Sequence, residues 1–167
     1  GGERGKGGGE ERPNVRVGVG VIVLRQGQPG KVLVSRRKGS HGSGMVQLPG
    51  GHLEHGESWA DCAIRETLEE TGIQLGRVAF AGVTNDVMGG EGKHYVTVFM
   101  VAACERGAEP QTLEPHKCDG WTWEDWRKLP TPLFDPLQKF SRSSFRLPNP
   151  DDMLSARQDD ELYTHPF

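Results

Sequence analysis

The sequence predicts an α/β domain, a mixed β-sheet sandwiched between α-helices. Three observations carry that expectation. Val15–Leu24 (VRVGVGVIVL) is a β-branched, apolar run of the kind that forms a buried strand. Ser58–Gly72 has the repeat of a helix and a stop signal at each end. Further strand-like runs lie on both sides of that helix. A chain of 167 residues is long enough for one domain with its own core.

The elements follow in order. Gly1–Asn14 is Gly-rich with both charge signs and reads as a flexible arm. Val15–Leu24 is the central strand, Gln26–Gly30 a turn, and Lys31–Arg37 (KVLVSRR) a second strand. Gly39–Gly44 is a loop and Met45–Leu48 a short extended piece. Gly50–Glu57 is expected as a loop. Ser58 is the N-cap of the helix, with Asp61 in its first turn, and Gly72 ends it. Ala60, Ala63, Ile64, Thr67, Leu68 and Thr71 share one apolar-to-small face, which is expected to meet the core. Val78–Asp86 and His94–Cys104 read as strands around a Gly-rich turn, and Gly120–Trp123 as a short strand. Glu124–Leu129 is expected as a helical turn and Leu133–Phe140 as a C-terminal helix. Pro148–Phe167 is polar and reads as a loose tail.

Composition narrows the partners. The net charge is −3 and the pI about 6.1, which argues against duplex nucleic acid or an anionic membrane as the main partner. No apolar run approaches the roughly 18 residues of a membrane-spanning helix. Cys62, Cys104 and Cys118 are odd in number and form no Cys-x-x-Cys pair, so they read as reduced thiols of an intracellular protein. The expected compartment is the cytoplasm, with organelle targeting by a removed upstream segment left open.

The chemistry concentrates in LPGGHLEHGESWADCAIRETLEETGI, Leu48–Ile73. Glu66 and Glu70 lie one helical turn apart, on a side distinct from the apolar face, and Glu69 lies further round. Like charges at that spacing repel, and Arg65 is the only cation between Asp61 and Gly72. A hard divalent ion would resolve the repulsion, because Mg²⁺ takes oxygen ligands and retains waters and substrate phosphates. Gly50-Gly51 allows the backbone a close approach, and Glu57 can tie the loop to Arg65.

Gly51, five residues, Glu57, seven residues, then Arg65-Glu66-Thr67-Leu68-Glu69-Glu70-Thr71-Gly72-Ile73 resembles the Nudix box. Thr67 is the one departure, standing where an aliphatic residue is usual. QLPGGHLE, HYVTVFM and LEPHKCDGWTWEDWRKLP extend the likeness over roughly Val15–Leu137 to a MutT-like eukaryotic subgroup. That subgroup includes nucleoside triphosphate diphosphatases of animals and plant enzymes acting on dihydroneopterin triphosphate and 8-oxo-dGTP. The resemblance places a Nudix hydrolase domain at residues 15–147.

It implies a Nudix fold and Mg²⁺-dependent hydrolysis, with Mn²⁺ able to substitute, of a nucleoside or oxidised-purine triphosphate to monophosphate and pyrophosphate. Dihydroneopterin triphosphate and other nucleoside-diphosphate compounds are the alternative substrates, and a non-catalytic nucleotide-binding module is the alternative class. The implied metal ligands are Glu66, Glu69, Glu70 and the Gly50 carbonyl. Glu57 and Arg65 would orient them, Glu69 or Glu70 would act as general base, and Glu91 and Glu114 are candidates for an outside ligand. Arg36 would hold a phosphate, ahead of Arg37 and Lys38. Gln47, Leu48, Gly50 and Gly51 would line the substrate site. Trp121, Trp123 and Trp126 are expected mainly in packing, and His52, His55, His94 and His116 lack a metal-ligand spacing. Met88–Gly92 (MGGEG) carries neither the Pro of ADP-ribose enzymes nor the Tyr of dinucleoside-polyphosphate enzymes. A homodimer is common in the subgroup.

Overall fold

A computed structural model describes residues 13–155, the side chain of Glu91 excepted. Two sheets and three α-helices form an α/β fold. Strand β1 (Val15–Arg25) runs parallel to β6 (Lys93–Cys104) along its whole length. On its other side β1 pairs antiparallel with β4 (Gly50–His52), and β5 (Val78–Met88) pairs antiparallel with β6, giving the order β4-β1-β6-β5. The second sheet is antiparallel, β3 (Val46–Gln47), β2 (Lys31–Arg37) and β7 (Cys118–Asp125) in the order β3-β2-β7.

β1 is apolar nearly throughout because both of its faces are covered. Val19, Val21 and Val23 pack into a cluster with Cys62, Ala63 and Ile73 of the α1 region, where α1 is Trp59–Thr71. The alternate residues Ile22 and Leu24 pack into a second cluster with Leu137 and Phe140 of α2 (Asp135–Ser141). Helices therefore stand on both sides of the sheet, as expected.

Both ends of α1 match their sequence signals. Ser58 Oγ accepts from the Asp61 N–H at 3.0 Å, a cap of about 1 kcal/mol. Gly72 takes φ 73°, and its N–H reaches the Leu68 carbonyl. The face turned inward differs from the one expected. Cys62, Ala63, Thr67 and Thr71 are buried, whereas Ile64 and Leu68 are 38% and 43% exposed. The helix is rolled toward the sheet edge by β4, and this brings Glu66 and Glu70 inward with the small residues. Hydrophobicity alone places the centre of the face too close to Ile64 and Leu68.

Two segments gain structure over the sequence reading. Gly50–His52 is a strand, not a loop, held on β1 by the register Gly20↔Gly50, Val19↔Gly51 and Gly18↔His52. Residues Pro150–Ser155 form a short helix, α3, where a loose tail was expected. Met153 is 3% exposed in the α2 cluster, and Leu154 packs against that cluster. One buried methionine after two exposed aspartates is too short a signal to show a period. The arm and the end of the tail, residues 1–12 and 156–167, lie outside the described residues. No helix among the described residues is long and apolar enough to cross a membrane.

Candidate active site

β4 brings two bare glycines against the inner face of α1. The Gly50 N–H donates to Glu70 Oε2 at 3.3 Å. A Cβ on Gly51 would stand 2.3 Å from the Glu66 carboxyl carbon, and one on Gly50 would stand 2.0 Å from the Val19 carbonyl oxygen. Neither position accepts a side chain, because backbone and carboxylate already occupy that space.

Arg65 holds the outer side of the cluster. Its Nε and Nη2 donate to the two Glu57 oxygens at 2.7 and 3.0 Å, a bidentate pair. Nη1 donates to Glu66 at 2.9 Å and to Glu69 at 3.4 Å, and Nη2 also reaches the His52 carbonyl at 3.2 Å. One guanidinium thus fixes the loop, the strand and the helix together. The Arg65 bonds hold the Glu57 carboxyl down to about 2, and Glu57 in turn raises Arg65.

The inner carboxylates behave in the opposite way. Burial, followed by the neighbouring Glu66 charge, pushes Glu70 up to about 8, against the Gly50 N–H bond. Burial also raises Glu66, with Arg65 opposing. A like charge close by disfavours the ionised form of an acid, and a cation between the two would relieve it.

Glu66, Glu70, Gly50 and Gly51 line one end of a cavity of about 580 Å³, within the range of small-molecule sites. Gln47, Leu48, Thr97, Phe99 and Phe134 are among its other lining residues. Glu69 is not part of that lining. Its side chain is 54% exposed and pairs with Arg65. No three carboxylate, His or Cys side chains among the described residues form a ready metal cage. Two inward carboxylates plus backbone oxygen suit a hard ion that keeps several waters.

The basic residues sort differently from the sequence expectation. Arg36 donates to the carbonyls of Gly44 and Thr131 and is not among the cavity residues. Arg37 lines the cavity instead, stacked 4.1 Å from the Phe134 ring and donating to Gln47 Oε1 at 2.6 Å. Burial lowers Arg37, and the Glu70 charge works against that shift. Arg37 shares the side of β2 that carries Ser35, which pairs with Gln47 of β3 and Trp121 of β7, both cavity residues, whereas Arg36 falls on the opposite side.

Lys38, Lys93 and Lys117 also line the cavity, and nothing in the sequence pointed to Lys93 or Lys117 there. The Lys117 Nζ donates to Glu114 at 2.9 Å, and both residues line the acidic end. A loop residue has no periodic signal that could have disclosed it. Glu114 raises the charge burden on Glu70, so it lies near the pair. Lys38 bonds the Pro115 carbonyl and pairs with Asp119. Trp121 lines the cavity, Trp123 carries the Arg25 guanidinium 4.5 Å from its ring, and Trp126 packs on the α2 cluster.

A strand–helix clamp of glycines, glutamates and one arginine on a sheet sandwiched by helices defines the class. The family profile of the NUDIX domain matches residues 14–147. The chain belongs to the NUDIX domain family.

Its relatives include the m7GpppN-mRNA hydrolase NUDT17 of Danio rerio, 46% identical over 61 residues, 35% of this chain and 20% of that protein. The m7GpppN-mRNA hydrolase NUDT17 of Xenopus laevis is 42% identical over 67 residues, 39% of this chain and 23% of that one. The matched stretch thus spans less than a quarter of either relative. Among solved structures, the MutT NUDIX hydrolase from Burkholderia pseudomallei superposes with a TM-score of 0.69 at 28% identity, over 77% of this chain and 96% of that one.

Proposed function

We propose that the protein is a divalent-metal-dependent hydrolase converting a nucleoside triphosphate, oxidised or modified purines included, to the monophosphate and pyrophosphate. The observation that carries this reading is the pair Glu66 and Glu70, half-buried in the wall of a nucleotide-sized cavity against Gly50-Gly51.

Glu66, Glu70 and the Gly50 carbonyl would hold Mg²⁺ or Mn²⁺, with Glu69 as a further ligand once released from Arg65. The ion supplies charge neutralisation for the phosphate chain and a more acidic water. Everything else is positioning by this chain. Arg65, clamped by Glu57, sets the orientation of Glu66. Lys117 faces the same end and can meet a phosphate. Glu70 or Glu69 takes the proton of the attacking water. Arg37, Gln47 and Leu48 border the remaining cavity, where the base would lie.

Dihydroneopterin triphosphate, or another nucleoside diphosphate compound, is the alternative substrate, and the cap-hydrolase names of two relatives favour including a cap dinucleotide. A binding module without turnover fits less well, since every glutamate of the box is present. A cytoplasmic homodimer completes the proposal, and sedimentation velocity tests the dimer.

The deciding experiment is release of pyrophosphate and monophosphate from dGTP, 8-oxo-dGTP and dihydroneopterin triphosphate, and of nucleoside mono- and diphosphate from a cap dinucleotide, with and without Mg²⁺. Metal-dependent product from at least one is expected. No product from any of the four refutes the hydrolase reading.

A further inference from the structure

Beyond the acidic end, the cavity wall contains a polar group whose hydrogen-bond direction is fixed from behind. Thr97 lines the cavity and is 8% exposed. Its hydroxyl donates to Asp86 Oδ2 at 2.7 Å. Asp86 is fully buried at 0% exposure and does not itself line the cavity. Thr84 donates to the same oxygen at 2.8 Å. Lys139 of α2 stands 3.3 Å from Oδ1 as an ion partner, while bonding the Asn85 carbonyl at 2.9 Å. A carboxylate accepts only, so the Thr97 proton is committed to it, and the free lone pairs of Oγ1 are what the cavity meets.

The wall near the base end has the reverse polarity elsewhere. The Gln47 carbonyl oxygen is taken by Arg37, and one amide N–H reaches Ser35 Oγ at 3.4 Å, which leaves the second amide N–H as a donor.

We propose that Asp86 is a positioning residue that makes Thr97 an obligate acceptor, selecting bases that present an N–H donor to the cavity wall. This rests on the nucleotide reading above. A base with an N–H beside a carbonyl, the lactam edge of guanine-type purines and pterins, matches an acceptor from Thr97 and donors from Gln47 and Arg37. A base lacking N–H leaves the Thr97 acceptor buried and unpaired.

Binding of GMP and of purine riboside monophosphate, which has no N–H on its base, tests this by calorimetry without turnover. The parent should favour GMP. Thr97→Val and Asp86→Asn should each weaken GMP about tenfold and leave the unsubstituted purine within about twofold. The amide introduced by Asp86→Asn can donate to Thr97 and turn its proton toward the cavity, so the ratio of the two affinities should collapse. The double variant should bind GMP no more weakly than Thr97→Val alone.

A purely structural role for Asp86 would weaken both nucleotides alike and add to the Thr97 effect, and either result overturns the proposal. So does a parent that binds GMP no better than the unsubstituted purine, whatever its hydrolytic activity. The hydrolase reading fails separately, on absent pyrophosphate release.

Discussion

At the scale of single residues, Gly51 and Thr67 define what the box tolerates. A methyl at Gly51 would overlap the Glu66 carboxylate, so Gly51→Ala should reduce pyrophosphate release by about two orders of magnitude, as loss of a positioned metal ligand shell does. Steady-state assays on the best substrate check it, with circular dichroism to confirm the fold. Thr67 has the opposite character. It is 0% exposed and its Oγ1 has no hydrogen-bond partner. Thr67→Val should stabilise the protein by about 1 kcal/mol, because an unpaired buried hydroxyl becomes a methyl of equal size. Urea denaturation measures this, and a loss of stability would mean that the hydroxyl is satisfied after all.

Glu57 also acts at this scale. Its carboxyl sits near 2 in the folded protein because of Arg65, against about 4.3 in the unfolded chain. A depressed acid stabilises the fold above the unfolded value and loses that contribution as pH falls through the folded one. Parent and Glu57→Gln should therefore differ most in urea midpoint above pH 5 and converge toward pH 2. A difference that is independent of pH would remove the ion pair from the explanation.

At the scale of elements, α1 was legible in its ends and in the Glu57–Arg65–Glu66 contacts but not in its roll. Ser58 and Gly72 act within a turn of their own positions, so sequence suffices to find them. The spacing of Glu57, Arg65 and Glu66 is likewise local and visible. Which face points inward depends on how closely β4 approaches, and that depends on Val19 across the sheet. Arg36 and Arg37 show the same limit. Which of them meets the cavity depends on the side of β2 that Gln47 of β3 and Trp121 of β7 cover, and β7 is far off in sequence. The order β4-β1-β6-β5 could not be read from alternating patterns, since both faces of β1 are apolar. Asp86 was equally hidden: an aspartate that closes a strand-like run gives no sign of burial until Thr97 and Lys139 are seen around it.

For the molecule as a whole, the site works against the fold that carries it. Glu70 is raised to about 8 by burial and by Glu66. A raised acid supports folding fully below its unfolded value, about 4.3, and that support is lost as pH rises through the folded value. In EDTA, Glu70→Gln should therefore melt above the parent, by a margin that widens from pH 6 to pH 9. Under the proposed metal site, saturating Mg²⁺ should stabilise the parent and erase or reverse the margin, since an ion would bind the carboxylate and not the amide. Calorimetry at the four conditions checks both signs. A variant that melts below the parent in EDTA at pH 9 would show that the carboxylate is not strained.

β1 also sets the depth of the cavity. Gly18 and Gly20 line it, between β4 on one side and β6 on the other. A methyl at Gly20 would come within 3.1 Å of the Phe99 ring, but one at Gly18 would meet nothing closer than 3.9 Å. The floor is thus paved with bare backbone, and one of its two tiles can be raised without touching the carboxylates. Gly18 gives this scaffold a coarse depth setting, by which the ligand's thickness can be changed while the chemistry beside it stays in place.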